Sequence, residues 1–346
     1  MIVTNPDKKR HILISDPSLR DGNHAVKHQL KVNQIAGYCE YAEKARIPIV
    51  EVGHGNGLGA SSLQLGRSAV SDVDLLKTAR KSLKDTRLGV HIIPGFATIE
   101  KDLKPAVDIG VDVFRVASHC TEADITERFL NYIRNQGKIA YGVLMMSHMA
   151  SPDELAQEAL KMETYGAEAL IIMDSAGAYL PSDVTERIEI LVSVLQIPVG
   201  FHGHNNLGMA IANSIAALES GASILDGCVG GFGAGAGNTQ LEVMVAVLHK
   251  LGYETGIDLY GVLDLADFAA ENLIETFPCI SSLSIVSGIS GVFSGFLHPV
   301  KRIALEYKVD PRDIFFELGQ RGIVAGQEDI IIEVAEKLAK KYSSEF

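Results

Sequence analysis

Two short stretches of this 346-residue chain concentrate the side chains from which a reaction centre could be built. The first, Asp16-Pro-Ser-Leu-Arg20-Asp21-Gly22-Asn23-His24, sets a guanidinium, a carboxylate and an imidazole close together in sequence. The second, His202-Gly-His204-Asn205-Asn206, places imidazoles at positions i and i+2. On a strand such positions share a face, so both rings can converge on one divalent ion, and buried neutral imidazoles need the partners that a metal supplies. With Asp21 as a third ligand the donor set is two nitrogens and one oxygen with positions left for substrate. That set suits Mn²⁺, Co²⁺, Fe²⁺ or Zn²⁺ in a catalytic site. A third stretch, Gly230-Gly-Phe-Gly-Ala-Gly-Ala-Gly237-Asn238, lets the backbone approach a ligand closely. A helix opening near Asn238 would aim its N–H groups at an anion, so a phosphate, a carboxylate or a tight structural turn all fit this loop.

The elements that must position these groups are visible as eight short apolar, β-branched runs with helix-like stretches between them. They are Ile12–Asp16, Ile49–Gly53, Leu88–Ile93, Val113–Ala117, Ile139–Met145, Ala169–Asp174, Val199–His204 and Ser223–Val229. Their alternation with helices is the signature of βαβ units and a parallel sheet. Ser151-Pro-Asp-Glu and Pro181-Ser-Asp-Val open helical stretches with capping residues and an early Pro, and Gly166 closes one of them. Eight units predict a closed α/β (TIM) barrel. A doubly wound open sheet would look similar locally, but no GxGxxG follows the first run. In a barrel the reacting groups sit at the C-terminal ends of the strands, which is where the Arg20–His24 and His202–Asn206 stretches fall. After Gly252 the strand rhythm stops, and Gly261–Thr276, Phe296–Tyr307, Pro311–Leu318 and Glu328–Lys341 read as helices. The expected division is a catalytic barrel over residues 1–260 and a helical C-terminal domain over 261–346.

Composition narrows the partners. The formal charge is −12, which repels nucleic-acid phosphates and anionic lipid, and hydrophobic residues are 47% against 21% charged, enough for a large core. No long uncharged apolar run is present and no apolar run follows the basic residues of MIVTNPDKKRH, so a soluble, cytoplasmic protein is expected. Cys39, Cys120, Cys228 and Cys279 are far apart and read as reduced, mostly buried thiols. Among the remaining histidines, His54, His119 and His148 fall at strand ends as pocket lining, whereas His11, His28, His249 and His298 read as surface or packing.

Together these motifs resemble the metal-dependent aldolases and acyl transferases built on a TIM barrel, the DRE-TIM metallolyases, and within them the 4-hydroxy-2-oxovalerate aldolase family. The resemblance rests on SLRDGNHA, VEVGHGNGL, ASHCTEAD, LMMSHM, FHGHNNL, GFGAGAGN and VAGQEDIIIEVA, spread over nearly the whole chain. It implies cleavage of a 4-hydroxy-2-oxo acid to pyruvate and an aldehyde through a pyruvate enolate. It implies Asp21, His202 and His204 as ligands of a divalent metal, Mn²⁺ first, with Co²⁺, Zn²⁺ or Mg²⁺ as alternatives. His24 matches the general base and Arg20 the group that steadies the enolate oxygen. Arg20, His91, Ile93, Ser175, Asn238, Ile289 and Phe293 match substrate-binding positions. The C-terminal helices would dock an acylating aldehyde dehydrogenase, and an oligomer is expected.

The chain departs from the family pattern in three places. Ile289 and Phe293 stand where tyrosines are expected, His91 replaces an apolar residue, and HGHNNLG replaces HAHHNLS. The lost phenol and the gained imidazole predict an aldehyde more polar than acetaldehyde. The altered strand-seven motif leans toward the superfamily's Claisen-condensing enzymes, in which an acyl-CoA enolate attacks a 2-oxo acid. A third reading, a non-catalytic scaffold for a dehydrogenase, draws only on the missing tyrosine.

Overall fold

The fold is that of a computed structural model, which describes residues 11–324 and 326–344; the stretch read above for a leader lies outside them except for His11. Eight strands, β1 (Leu13–Leu19), β2 (Ile49–Val52), β3 (Arg87–Ile92), β4 (Val113–His119), β5 (Ile139–Met145), β6 (Ala169–Asp174), β7 (Val199–Gly203) and β8 (Ile224–Asp226), close into one parallel barrel in sequence order. All eight expected runs are strands. The largest differences lie at β1 and β8. Strand β1 runs on past Asp16 because its pairing slips by one residue against β2 between Asp16 and Leu19, which lets Pro17, with no N–H to donate, sit at the irregularity. The Asp16 carboxylate accepts from the Ser18 N–H and hydroxyl and from the Tyr38 hydroxyl, and this fixes the bend. Strand β8 stops early because Cys228 leaves the barrel to bond Thr239 and Leu241 of its own loop.

Around the barrel lie α1 (Val32–Lys44), α2 (Asp72–Ser82), α3 (Lys104–Ile109), α4 (Glu127–Asn135), α5 (Pro152–Thr164), α6 (Pro181–Val194), α7 (Ala210–Glu219) and α8 (Leu241–Lys250). The expected caps form. Ser151 and Glu154 hold α5 in a reciprocal capping box, and Asp183 accepts from Leu180 N–H at the start of α6. Five further helices complete the chain: α9 (Leu259–Asn272), α10 (Ser282–Ile289), α11 (Leu297–Tyr307), α12 (Pro311–Arg321) and α13 (Ile330–Ser344). Helix α10 has no counterpart in the sequence reading, since SLSIVSGI is dominated by poor helix formers and depends on Ser281 as its cap.

The apolar face of α9 (Val262, Leu265, Ala269) belongs to the same core as the barrel and its helices. A separate core is built from Val292, Phe296, Val300, Phe315, Leu318, Val334 and their neighbours. The division between the two cores therefore falls after Ile274, later than residue 260. The second core is nonetheless tied to the barrel mouth. Ser294 N–H donates to Ser175 carbonyl oxygen at 3.0 Å, and His148 Nε2 lies 2.8 Å from the Gly291 carbonyl.

Candidate metal and substrate site

The bend in β1 delivers Arg20 and Asp21 to the barrel mouth in a short turn, Asp21–His24. Strand β7 carries His202, and His204 follows it immediately, bridging to Asn238 of the glycine-rich loop. One ligand atom from each of Asp21, His202 and His204 lies within 4.8 Å of the others, and all three residues are buried. His202 Nε2 and His204 Nδ1 are buried without a hydrogen-bond partner. Two orphaned imidazole nitrogens beside a carboxylate are what a divalent cation site requires, because each otherwise bears an uncompensated desolvation cost. The donor set fits a divalent metal.

The carboxylate is prepared for that role. Burial by itself would raise the pKa of Asp21, but Arg20 above all, then His204, His24 and His202, holds it well below the ordinary carboxylate range. Arg20 Nη1 donates to Asp21 Oδ1 at 2.9 Å and Asn238 Nδ2 donates to Oδ2 at 2.5 Å. The glycine-rich loop owes its composition to this approach. A Cβ on Gly233 would stand 2.5 Å from Asn238 Nδ2 and 2.8 Å from Asp21 Oδ2. No helix opens at Asn238, because α8 begins only at Leu241, so the loop packs on the Asp21 carboxylate instead of presenting a helix N-terminus to an anion.

Behind the ligands runs a buried chain of charges that the sequence reading missed. Arg20 Nε donates to Glu51 Oε2 at 3.1 Å, and Glu51 lies 3.7 Å from Arg115 Nη1. Arg115 Nη2 donates to Asp226 Oδ2 at 2.6 Å, which in turn lies 2.9 Å from His202 Nδ1. The path leads from one metal-ligand candidate, Asp21, to another, His202, entirely through the barrel interior. Burial works against the charge on Glu51, yet Arg20 and Arg115 hold it ionised. Asp226 is likewise held low, by Arg115 first among its partners. An ionised Asp226 can only accept, so His202 Nδ1 carries the proton and its Nε2 lone pair is the one left for a metal. The signal was present in the sequence: IVEVG, VFRVA and SILDG each carry one charge inside an apolar run, and buried charges must find each other.

His24 stands at the outer edge of this chamber. Burial, opposed by Asp21 and reinforced by Arg20, lowers its pKa, so the imidazole is a neutral proton acceptor near pH 7. Its ring faces His28 at 5.1 Å and Phe293 at 6.4 Å, both edge-on. His28, expected at the surface or in packing, is buried and packs by stacking on His54 with centroids 3.6 Å apart. Their Nδ1 atoms accept backbone N–H groups from Gly55 and Asn56, and His54 Nε2 donates to the Gly66 carbonyl.

The other expected pocket residues divide. His91 is buried with Nδ1 3.6 Å from Glu51 Oε1, its pKa lowered to about 4 by burial and then by Arg20, so it is a neutral ring beside the charge chain. Ile93 packs against the apolar cluster inside the barrel. Ser175 accepts from Met146 N–H at the end of β6, where the tail meets the barrel. Ile289 is not brought to the site: at the end of α10 it falls off the helix's buried face (Ser284, Ser287, Gly288) and is 64% exposed. Phe293 is the residue of that pair that reaches His24. His54 backs His28, whereas His119 is half-buried and bonds Thr121, and His148 serves the tail contact.

Residues 11–269 match the HMGL-like family. The chain belongs to the HMGL-like family. Within it, the chain is 64% identical over 330 residues to a 4-hydroxy-2-oxovalerate aldolase of Spirochaeta aurantia, covering 95% of this chain and 97% of the relative. It is 62% identical over 332 residues to the protein of the same name from Pectobacterium atrosepticum, covering 96% and 97%. It is thus an aldolase-family member, a carbon–carbon lyase of HMGL-like type. Residues 278–340 match a DmpG-like communication domain, and the gap between the two matches coincides with the division between the two cores. The carboxyl transferase domain of Rhizobium etli pyruvate carboxylase, solved with pyruvate and biocytin, superposes with a TM-score of 0.81 at 16% identity. That match covers 96% of this chain and 61% of the other and speaks to the fold alone. No helix among the described residues is long and apolar enough to cross a membrane.

Proposed function

We propose that the chain cleaves 4-hydroxy-2-oxo acids, 4-hydroxy-2-oxovalerate among them, to pyruvate and an aldehyde. The observation that supports this reading most directly is the convergence of Arg20, Asp21, His24, His202 and His204 at one end of the barrel. Asp21, His202 and His204 hold a divalent cation, Mn²⁺ by preference, which supplies Lewis-acid polarisation of the 2-keto group. His24 removes the 4-hydroxyl proton, the electron pair of the O–H bond left on that oxygen forms the second bond of the aldehyde carbonyl, and the C3–C4 bond breaks. Its electron pair passes to the C2 oxygen as an enolate, and a proton delivered to C3 then yields pyruvate. Arg20 keeps a buried, unpartnered Nη2 that can donate to the enolate oxygen without reorganisation. Asn238 holds the Asp21 carboxylate in place and keeps its own Oδ1 free. His91, Ile93, Ser175 and Phe293 shape the space around the reacting carbons. The C-terminal helices dock an acylating aldehyde dehydrogenase, and the protein works in the cytoplasm as part of an oligomer.

Loss of the pyruvate methyl signal in D₂O, followed by proton NMR with Mn²⁺, tests the reading without needing the aldehyde. Metal-dependent exchange that EDTA stops and Asp21→Asn abolishes is expected. A protein that binds Mn²⁺ and shows neither exchange nor cleavage overturns it.

A further inference from the structure

A cavity of about 770 Å³ opens outward from His24 between the loops after β1, β2 and β8 and the start of α11. If His24 takes the 4-hydroxyl proton while the carboxylate end lies at the buried ligands, everything beyond C4 of the substrate projects into this space. A methyl group occupies only a small part of it. The outer wall carries Lys27, Lys301 and Arg302, and Glu328 is the one carboxylate among the described residues that line it. None of the three cations takes part in an ion pair among the described residues. Leu297 and His298, the first residues of α11, line the same wall, so the positive end of an eleven-residue helix lies beside the same space. Lys27, His298 and Lys301 line the same cavity, although Lys27 comes from the loop after β1 and the other two from α11. In a chain of net charge −12, a wall with three cations against one carboxylate at the outer end of a reaction cavity carries an excess of positive charge that an anionic ligand would balance.

We infer that this wall is an anion-binding subsite, and that the chain takes 4-hydroxy-2-oxo acids whose aldehyde half ends in a carboxylate or a phosphate. The inference rests on the aldolase reading above and adds the substrate class.

The test is aldol synthesis from pyruvate with Mn²⁺ and matched aldehydes: 4-oxobutanoate against its neutral methyl ester, and glyceraldehyde 3-phosphate against glyceraldehyde. The charged member of at least one pair is expected to exceed its neutral partner about tenfold in kcat/KM, in line with one charge-assisted hydrogen bond, and the pair with the larger ratio identifies carboxylate or phosphate. The ratio should fall toward one in Lys301→Met/Arg302→Met, and toward one for the unaltered protein in about 1 M KCl, where exposed charges are screened. The salt series keeps the test valid should the double variant fold poorly. Ratios of one or less in both pairs, or a ratio that survives both the variant and the salt, overturn the subsite while leaving the aldolase reading intact. Failure to condense pyruvate with any aldehyde, acetaldehyde included, overturns the aldolase reading and the subsite with it.

Discussion

Two chambers meet at His24, and they manage charge in opposite ways. Inside the barrel, Asp21, Arg20, Glu51, Arg115 and Asp226 are all buried, and each carboxylate is matched by a guanidinium within 4 Å. Outside it, the groups nearest His24 are histidines held neutral by burial and then by the neighbouring His24 ring, and beyond them three exposed cations stand against one carboxylate. The inner arrangement fixes protonation states, because every ionised group is stabilised by a neighbour that cannot move away. The outer one leaves protonation to the pH of the solution and leaves cations free for a ligand. Chemistry common to a family belongs in the first kind of chamber, and discrimination among substrates in the second.

Arg115→Met should separate the two most sharply. Arg115 is 1% exposed and stands between Glu51 and Asp226, so its removal strips both carboxylates of a buried cation. Breaking such a network costs about 3–5 kcal/mol, which chemical denaturation would register as a large fall in stability or as failure to accumulate soluble protein. A variant of unchanged stability would mean that the inner charges are not interdependent. Asp226→Asn is the milder probe. It keeps shape and volume but lets the amide donate where only a carboxylate accepts, so His202 can no longer be held in one tautomer. Metal affinity, measured by competition with a chelating dye, should fall about 10–100-fold with little change in fold.

How much of each chamber could be read in the sequence follows from the same contrast. Asp21, His202 and His204 were legible because they lie at strand ends, where period-two geometry and loop position fix which way a side chain faces. Glu51, Arg115 and Asp226 lie within strands, and a lone charge in an apolar run says that a partner exists without saying which; only the barrel's closure brings β2, β4 and β8 to one axis. The barrel itself was legible from eight runs because parallel strands buried on both faces are continuous in their hydrophobicity. The outer chamber was not. Lys27 and Lys301 are 274 residues apart and meet only because the second core packs over the mouth, and neither lies in a motif. Lys27 and His28 also turn with positive φ, a conformation that no glycine there announces. Ile289 and Phe293 show the same limit. Both looked equivalent by alignment of a motif, and the end of α10 sends one outward and the other to His24.

The smallest expected effect tests whether the outer histidines respond to pH while the inner charges do not. Burial and then His24 lower the His54 pKa from its ordinary 6.5 to about 4. The unfolded chain takes up that proton near pH 6.5 and the folded protein does not, so the stability contributed by neutral His54 is complete above 6.5 and is lost as pH falls toward 4. Glu51 has an ordinary value of 4.5 and Asp21 one of 3.8, and both are held lower in the fold, so their contributions begin to fade only below those values. At about pH 5 the unfolded state has paid for roughly 1.5 pH units of His54 protonation, about 2 kcal/mol. Stability should therefore drop between about pH 7.5 and about pH 5 by about 2 kcal/mol more in the unaltered protein than in His54→Gln, read from denaturant midpoints at the two pH values. The other buried histidines contribute to both proteins and cancel. Parallel changes in the two would mean that His54 is protonated in the folded chain at pH 5, and the backbone lock on its Nδ1 through the Asn56 N–H would have to be given up.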